Sequence, residues 1–224
     1  MEITNYTVES NKITVPKKIV MLSDLHNESY DGIVSSVCEI QPDIITVVGD
    51  IVDRHKKTYS RATGFLKTLN EIAPTYFSYG NHEIQFNVLT KEDISKTGAV
   101  ILDNEYVLNG EIFIGGHTPF SSFNWIDSFE AEEGFKLLLC HHPEYYKKHL
   151  KNRNIDLMLS GHAHGGQWRP FGIPVFAPGQ GIFPQYTSGY YESKLIVGRG
   201  LADSRLIPRM FNQIEIVVIE LKPA

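Results

Sequence analysis

Two histidines separated by a single residue follow an apolar run in the segment LMLSGHAHGGQ, which begins at Leu157. A short apolar run bounded by small residues is typical of a buried strand that ends in a loop. Imidazole is the commonest metal ligand among protein side chains, and alternate residues of an extended segment point the same way. His162 and His164 therefore indicate a metal site, and the neighbouring glycines let backbone and substrate come close to it. If the chain turns at Gly161 instead, the two imidazoles would lie on either side of a pair of ions and bind different ones.

Four earlier segments repeat this pattern, in which apolar residues are followed by a turn residue and then by a residue able to bind metal. They are KIVMLSDLH from Lys18, DIITVVGDIVD from Asp43, PTYFSYGNHE from Pro74 and FKLLLCHHPE from Phe135. Because loops at the carboxyl ends of strands form the ligand crevice of α/β sheets, we expect their polar side chains to converge. The converging set is Asp24, His26, Asp50, Asn81, His82, His141, His162 and His164.

The residue types in this set narrow the chemistry. Imidazoles and carboxylates without thiolates suit borderline divalent ions such as Zn²⁺, Mn²⁺ or Fe²⁺. The set is larger than one tetrahedral ion needs, whereas two ions about 3.5–4 Å apart would use it. Pairs of ions at that spacing drive in-line displacement at phosphorus. The residues alone thus favour a site with two metal ions that acts on phosphate esters.

The segments between the first three strands have helical spacing. Their apolar faces are Ile33, Val37 and Ile40 in one segment and Phe65, Leu66, Leu69 and Ile72 in the next. Another helix is predicted to begin at Thr90, with Asp93 completing a capping box. Alternating strands and helices predict β-α-β crossovers and a sheet covered on both sides.

Further strands are predicted near the middle and the end of the chain. They are YVLNGEIFIGG from Tyr106, KLIVGRG from Lys194 and QIEIVVIEL from Gln213, the last alternating as a half-buried strand does. This order predicts an α/β fold in the form of a four-layer α/β/β/α sandwich, which it fits better than a single open sheet. We expect residues 1–224 to form one domain without a cap domain, because no repeat, linker or long insertion interrupts them.

The ordered motifs resemble the five-block signature of calcineurin-like metallophosphoesterases, and no block is broken. The blocks are Asp24-Leu-His26, Gly49-Asp50-Ile-Val-Asp53, Gly80-Asn81-His82-Glu83, His141 and Gly161-His162-Ala-His164. Within that family the chain most resembles small bacterial members related to a cell-envelope phosphodiesterase. SGHAHGGQ and a later GRG before a terminal strand occur in those members.

The resemblance implies a role for each matching residue. One metal would be held by Asp24, His26 and His164, and the other by Asn81, His141 and His162, with Asp50 bridging the two. A hydroxide shared by the metals would attack phosphorus, because metal binding lowers the pKa of water to about 7. His82 would protonate the leaving alkoxide or stabilise the transition state, and Asp53 would orient an imidazole, with His82 favoured.

Other residues keep two interpretations each. His142 could exchange roles with His141, although the family pattern favours the first histidine of the pair. His117 would line the pocket or cap a turn, and the turn is favoured. Arg54 and Arg199 could bind phosphate, although surface arginines without such a task are commoner.

The composition of the whole chain limits the kinds of partner and the location that we expect. A net charge of −5 gives no support for tracking a nucleic-acid backbone, so nucleic acid is disfavoured as a partner but stays open as a substrate. The sequence contains neither an apolar run of about 18 residues nor a leader pattern. We therefore expect a cytoplasmic protein without a membrane span, or an exported one if a leader has been removed. Cys38 and Cys140 are expected to be buried thiols, and oligomeric state has no sequence signal.

The expected function is hydrolysis of phosphate esters with two divalent ions, Mn²⁺, Fe²⁺ or Zn²⁺. Phosphodiesters are favoured over monoesters, because only a short connection separates the Asn81-His82 block from Thr90 and leaves the cleft open. The alternatives are a nuclease and a metal-binding interaction scaffold on the same fold. Retention of Asp50, Asn81, His82 and His164 disfavours the scaffold.

Overall fold

Two six-stranded sheets lie face to face in the computed structural model, which describes residues 1–53, 59–86, 89–202 and 209–224. The first sheet contains, in spatial order, β1 (Glu2–Ser10), β14 (Glu215–Pro223), β2 (Lys17–Leu22), β3 (Ile44–Val48), β4 (Thr75–Ser78) and β5 (Val100–Leu102). Its strands β2, β3, β4 and β5 run parallel, whereas β14 runs antiparallel to β2.

The second sheet has the same parallel interior. Its spatial order is β12 (Gly189–Tyr191), β13 (Leu195–Val197), β9 (Leu157–Ser160), β8 (Phe135–Cys140), β7 (Ile112–His117) and β6 (Glu105–Asn109). Strands β7, β8, β9 and β13 are parallel, and a separate short hairpin joins β10 (Phe176–Ala177) to β11 (Gly181–Ile182). All five apolar runs singled out by sequence are therefore strands, at β2, β3, β4, β8 and β9.

Each of these strands buries both of its faces. In β2, Ile19 and Met21 belong to the core between the sheets, whereas Val20 and Leu22 face the helices. Since successive side chains of a strand point to opposite faces, a strand covered on both sides is predominantly apolar along its length. Full burial of one such side chain stabilises the fold by about 1.5–3 kcal/mol.

Helices cover the outer face of each sheet and complete four layers. α1 (Asp31–Ile40), α2 (Ser60–Ile72) and α4 (Lys91–Ser95) pack on the first sheet, and α5 (Ile126–Ala131) packs on the second with a π-helical turn (Tyr146–Leu150). α4 begins with the predicted capping box, in which Thr90 Oγ1 accepts from Asp93 N at 3.1 Å. The predicted α/β/β/α sandwich is confirmed.

Three local predictions differ from the structure. β14 is buried from Glu215 to Ile219 rather than half-buried, because it lies between β1 and β2. β1 was not predicted, since Val8 is its only buried residue and its hydropathy pattern is weak. Cys38 is exposed, because it follows the buried Val37 on α1 and turns away from the sheet, whereas Cys140 is buried as expected.

Two findings bear on the organisation of the chain. α3 (Asn81–Phe86) starts directly after β4, where sequence patterning gave no helix. No helix within the described ranges is long and apolar enough to cross a bilayer.

The expectation of a single domain over residues 1–224 stays a prediction.

Candidate metal centre

The polar residues expected to converge all follow strand ends. Asp24 and His26 follow β2, Asp50 follows β3, Asn81 and His82 open α3 after β4, His141 follows β8, and His162 and His164 follow β9. Because β2, β3 and β4 belong to one sheet and β8 and β9 to the other, the site lies where the carboxyl ends of both sheets meet.

Among the described residues, donor atoms gather in four overlapping groups, of which one, His142 with Glu144 and His162, lies at the edge of the site and two consist of predicted ligands. The ligand atoms of Asp24, His26 and His164 all lie within 4.8 Å of one another, and Nε2 of His26 is 3.3 Å from Nε2 of His164. A second group consists of Asp50, His141 and His162, again within 4.8 Å. Each group has the size and donor chemistry of a divalent-ion site.

Asp50 lies within reach of both groups. Its Oδ2 is 3.1 Å from Nε2 of His141, and it also forms a cluster within 4.8 Å with His26 and His82. Its Oδ1 accepts a hydrogen bond of 2.8 Å from the backbone N of His82. One carboxylate is thus fixed between the imidazoles of the two groups.

A buried atom without a hydrogen-bond partner supports the fit to metal ions. Asn81 Oδ1 is such an atom within the described part of the chain, whereas His141 Nε2 has the Asp50 carboxylate as its partner at 3.1 Å. A buried polar atom left unsatisfied costs about 1–3 kcal/mol. A divalent ion coordinated by Asn81 Oδ1 would remove that cost, and the donors of the set are nitrogen and oxygen only, as borderline ions prefer.

Burial keeps three of the imidazoles neutral. It lowers the pKa of His26 to about 4. Burial and the nearby Arg209 guanidinium lower the pKa of His164 to about 3. The pKa of His162 is held well below its usual range by burial and by His142 and His141. Neutral imidazole is the form that binds a metal ion.

His141 and Asp50, unlike those three imidazoles, have pKa values shifted towards their charged forms. Burial disfavours the charge on His141, but the Asp50 carboxylate outweighs it and raises the pKa of His141 to about 10. Burial likewise opposes ionisation of Asp50, and His141 overcomes it and holds the pKa of Asp50 well below its usual range. Bound dications would be the largest local charges and would take the place of the proton between these groups.

Glu83 holds the loops of the site together, a role that sequence reading missed. Its Oε2 accepts from the backbone N of Asp50 and of Gly80 at 2.8 Å each, and its Oε1 accepts from Val52 N at 3.1 Å. Burial and the Asp50 charge raise the pKa of Glu83 to about 7. An acidic residue inside a block of glycine, asparagine and histidine was the available signal.

His82 differs from the other members of the set because its side chain is 22% exposed. Its Nε2 lies 4.0 Å from Asp50 Oδ2, and its ring centroid is 4.6 Å from that of His26. Its Nδ1 makes no hydrogen bond among the described residues. Asp53 thus does not accept a hydrogen bond from Nδ1 of His82, and its orienting role stays a prediction.

The backbone at the site adopts left-handed conformations. Positive φ angles occur at Asp24 (55°), His26 (49°), Asp50 (54°), His162 (65°) and His164 (46°). Of the two interpretations of this segment, the extended one is therefore wrong, and the chain instead turns after Gly161, which places His162 and His164 in different donor groups. Such angles are uncommon outside glycine and cluster at functional sites.

Three of the residues that had two interpretations each from the sequence are His117, Arg199 and Arg54. His117 is buried, and its Nδ1 accepts from Trp125 Nε1 at 3.3 Å, so the favoured turn-capping role is wrong. Arg199 Nη2 donates to Glu215 Oε1 at 2.9 Å and pairs with Glu2 at 2.8 Å, which joins the chain ends instead of facing phosphate. Arg54 lies outside the described residues.

His142 and Arg209 lie at the periphery of the site. The ring of His142 lies 4.0 Å from that of His162, and its Nδ1 is 2.9 Å from Glu144 Oε1. Arg209, which sequence reading missed, places Nη2 3.4 Å from Nδ1 of His164. Arg209 belongs to none of the sequence motifs, and only the folding of the chain places it beside His164.

Comparisons with known proteins agree with this geometry. Residues 17–166 match the sequence profile of the calcineurin-like phosphoesterases. The uncharacterized metallophosphoesterase Cj0846 of Campylobacter jejuni is 28% identical over 99% of this chain and 63% of its own length. The phosphodiesterase YaeI of Escherichia coli K12 is 29% identical over 73% of this chain and 66% of its own length. This chain thus spans less than two thirds of either relative.

The fold also matches a solved structure. The protein TT1561 of Thermus thermophilus superposes with a TM-score of 0.51 at 14% sequence identity, over 66% of this chain and 82% of that one. At this identity the match concerns the fold alone.

Proposed function

This chain belongs to the calcineurin-like phosphoesterase family, and on that premise we propose that it hydrolyses phosphodiesters with two divalent metal ions. The family indicates a phosphoester hydrolase that binds divalent metals. Mn²⁺, Fe²⁺ and Zn²⁺ all suit the donors present.

The position of Asp50 carries the proposal of two ions. Its carboxylate contacts His141 on one side and lies within 4.8 Å of the ligand atoms of His26 and His82 on the other. A carboxylate between two imidazole groups supplies one negative charge to two cations. The first ion would use Asp24, His26, His164 and Asp50, and the second would use Asn81, His141, His162 and Asp50.

Each residue of the site has a task in this proposal. The two ions, when bound, activate water and neutralise charge on the phosphate. His82 donates a proton to the leaving oxygen, because it is the exposed imidazole beside the ligands. Glu83 keeps the Asp50 loop and the start of α3 in register through three backbone hydrogen bonds.

Two observations favour diesters over monoesters. His82 is partly open to solvent, so the cleft beside it has room for the larger substituents of a diester. A relative that shares 29% identity bears the name phosphodiesterase. A cytoplasmic location stays a prediction.

Hydrolysis of bis(p-nitrophenyl) phosphate beside p-nitrophenyl phosphate tests this function. The protein is stripped with chelator and resupplied separately with Mn²⁺, Zn²⁺ or Mg²⁺. We expect metal to restore activity, with a higher kcat/KM for the diester. The variant His149→Ala is a matched control, because His149 is an exposed histidine that belongs to none of the donor groups found among the described residues. Turnover of the monoester alone would contradict the diester preference, and no turnover with any ion would contradict the function.

A further inference from the structure

Exposed apolar side chains are concentrated beside the metal centre. Half of the large apolar side chains that are exposed in the described ranges, 8 of 16, come from residues 168–183 and 210–211. We call the exposed apolar side chains of these two segments the apolar rim. Single exposed apolar residues are ordinary on a protein surface, but a cluster marks an interaction site.

Backbone pairing makes the apolar rim one continuous surface. Trp168 pairs with Met210 in a parallel bridge, and Phe176 lies directly opposite Ile182 in the hairpin of β10 and β11. The backbone of Val175 links the two parts, since its N donates to Trp168 O and its O accepts from Phe183 N, both at 2.9 Å. Side chains of directly paired residues lie about 4.5–5.5 Å apart at Cβ.

Three phenylalanines stand at the tips of turns in the rim. Phe171, Phe183 and Phe211 are 102%, 74% and 79% exposed. Their φ angles are 55°, 52° and 54°, in the left-handed region that bulky residues rarely adopt. The backbone is thus held in an unfavourable conformation at the points where aromatic rings project into solvent.

The rim is attached to the ligand loop of the metal centre. Three residues separate Trp168 from His164. Asn212, which follows Phe211, donates from Nδ2 to the backbone O of His164 at 2.7 Å. Arg169 donates from Nη1 to Gly165 O at 2.7 Å. A surface that docked on this rim would lie next to the proposed ions.

The segment that carries most of the rim lacks acidic residues, although the chain as a whole is negative. Residues 167–191 contain no aspartate or glutamate and one cation, Arg169, in a chain with 26 acidic residues and a net charge of −5. Lys147 lies beside this segment, with its Nζ 3.5 Å from Gln185 Oε1, and Lys147 and Lys148 are both exposed. The rim therefore offers aromatic tips with exposed lysines beside them, and the nearest carboxylates, Glu144 and Glu192, lie at the edge of this segment.

We propose that the apolar rim docks the protein on the surface of an anionic phospholipid bilayer. Phenylalanine and tryptophan with flanking lysine are the side chains that bind at the boundary between headgroups and acyl chains. Acidic headgroups complement Lys147, Lys148 and Arg169. Docking would present phosphodiesters carried by lipids to the metal centre, and this consequence rests on the proposed function.

Vesicle binding measures the docking without reference to catalysis. Flotation with vesicles of phosphatidylglycerol and phosphatidylcholine is compared for the wild type and for Phe171→Asn/Phe183→Asn/Phe211→Asn. Asparagine tolerates the left-handed backbone, so the variant should fold. We expect its partition coefficient to fall at least about 10²-fold, since burial of each ring contributes about tenfold. Lys147→Gln should lower binding about fivefold, and only to the anionic vesicles.

Controls separate the outcomes. Leu108→Thr removes an exposed leucine outside the rim and should bind vesicles as the wild type does. The triple variant should hydrolyse soluble bis(p-nitrophenyl) phosphate normally. Equal vesicle binding by wild type and triple variant would overturn the proposal. The proposal would also be overturned if the wild type does not bind vesicles but sediments as a dimer and the triple variant sediments as a monomer. Vesicle binding without hydrolysis would support docking and refute the proposed function.

Discussion

The substitution Gly80→Ala tests the packing that fixes the bridging carboxylate. A Cβ at residue 80 would lie 2.2 Å from Asp50 Oδ1 and 2.5 Å from Asp50 N. Asp50 cannot yield freely, because its N donates to Glu83 at 2.8 Å and its Oδ1 accepts from His82 N at 2.8 Å. The added methyl group must therefore disturb the bridge itself.

The size of the effect follows from these distances. Real Cβ contacts essentially never fall below 3.0 Å, so a contact of 2.2 Å requires a shift of roughly 0.8 Å. A misplacement of about 1 Å in a catalytic site costs about 10²-fold in rate. Overpacking of a rigid site costs about 1–3 kcal/mol of stability. Gly80→Ala should thus stay folded while losing at least about 10²-fold in kcat/KM.

The assay combines kcat/KM for bis(p-nitrophenyl) phosphate, metal content by mass spectrometry and thermal unfolding. The matched control is Gly32→Ala on α1, where an added Cβ would meet nothing within 4 Å. That control should keep full activity and gain about 0.5–1 kcal/mol of stability. Wild-type activity and metal content in Gly80→Ala would refute the inference that Asp50 must be held in place.

Three further predictions concern single residues. Asn81→Ala should lose metal, whereas His82→Ala should keep both ions and lose about 10²–10⁴-fold in kcat, and equal metal loss in both would contradict the separate roles. Glu83→Gln should lower kcat/KM and metal affinity together, because an amide offers one acceptor oxygen for three backbone donors. Unchanged metal affinity in this variant would contradict the role of Glu83 in holding the loops of the site. Burial, with His142 and His149, lowers the pKa of His117 from 6.5 to about 4. Since the unfolded chain protonates first, stability should fall as pH drops from 6.5 towards 4, and His117→Gln should reduce that fall by up to about 3 kcal/mol in urea unfolding. The same loss of unfolding free energy between pH 6.5 and pH 4 in the wild type and in His117→Gln would contradict the lowered pKa of His117.

The buried strands and the convergence of the site were predictable from the sequence. Ile44–Val48 is buried throughout and apolar except for Thr46, because both of its faces are covered, and this leaves a strong signal. Polar residues after such strands must meet when the strands are parallel neighbours. The edge strand Glu2–Ser10 left little signal, because its pairing with β14 uses backbone atoms that sequence patterns do not report.

Details of the site depended on the fold. The left-handed turns at His162 and His164 are not encoded by residue type, so the sequence alone left both an extended segment and a turn at Gly161 open. Arg209 reaches His164 across 45 residues of chain, whereas Arg199, which stood in a motif, pairs with Glu215. Long-range contacts of this kind have no local sequence signature.

Titration of chelator-stripped protein with Mn²⁺, while hydrolysis of bis(p-nitrophenyl) phosphate is followed, tests the two-ion site most directly. A carboxylate shared by two ions predicts little activity at one equivalent of Mn²⁺ per chain and full activity at two equivalents. Activity that saturates at one equivalent, or that persists in excess chelator, would contradict the dinuclear site.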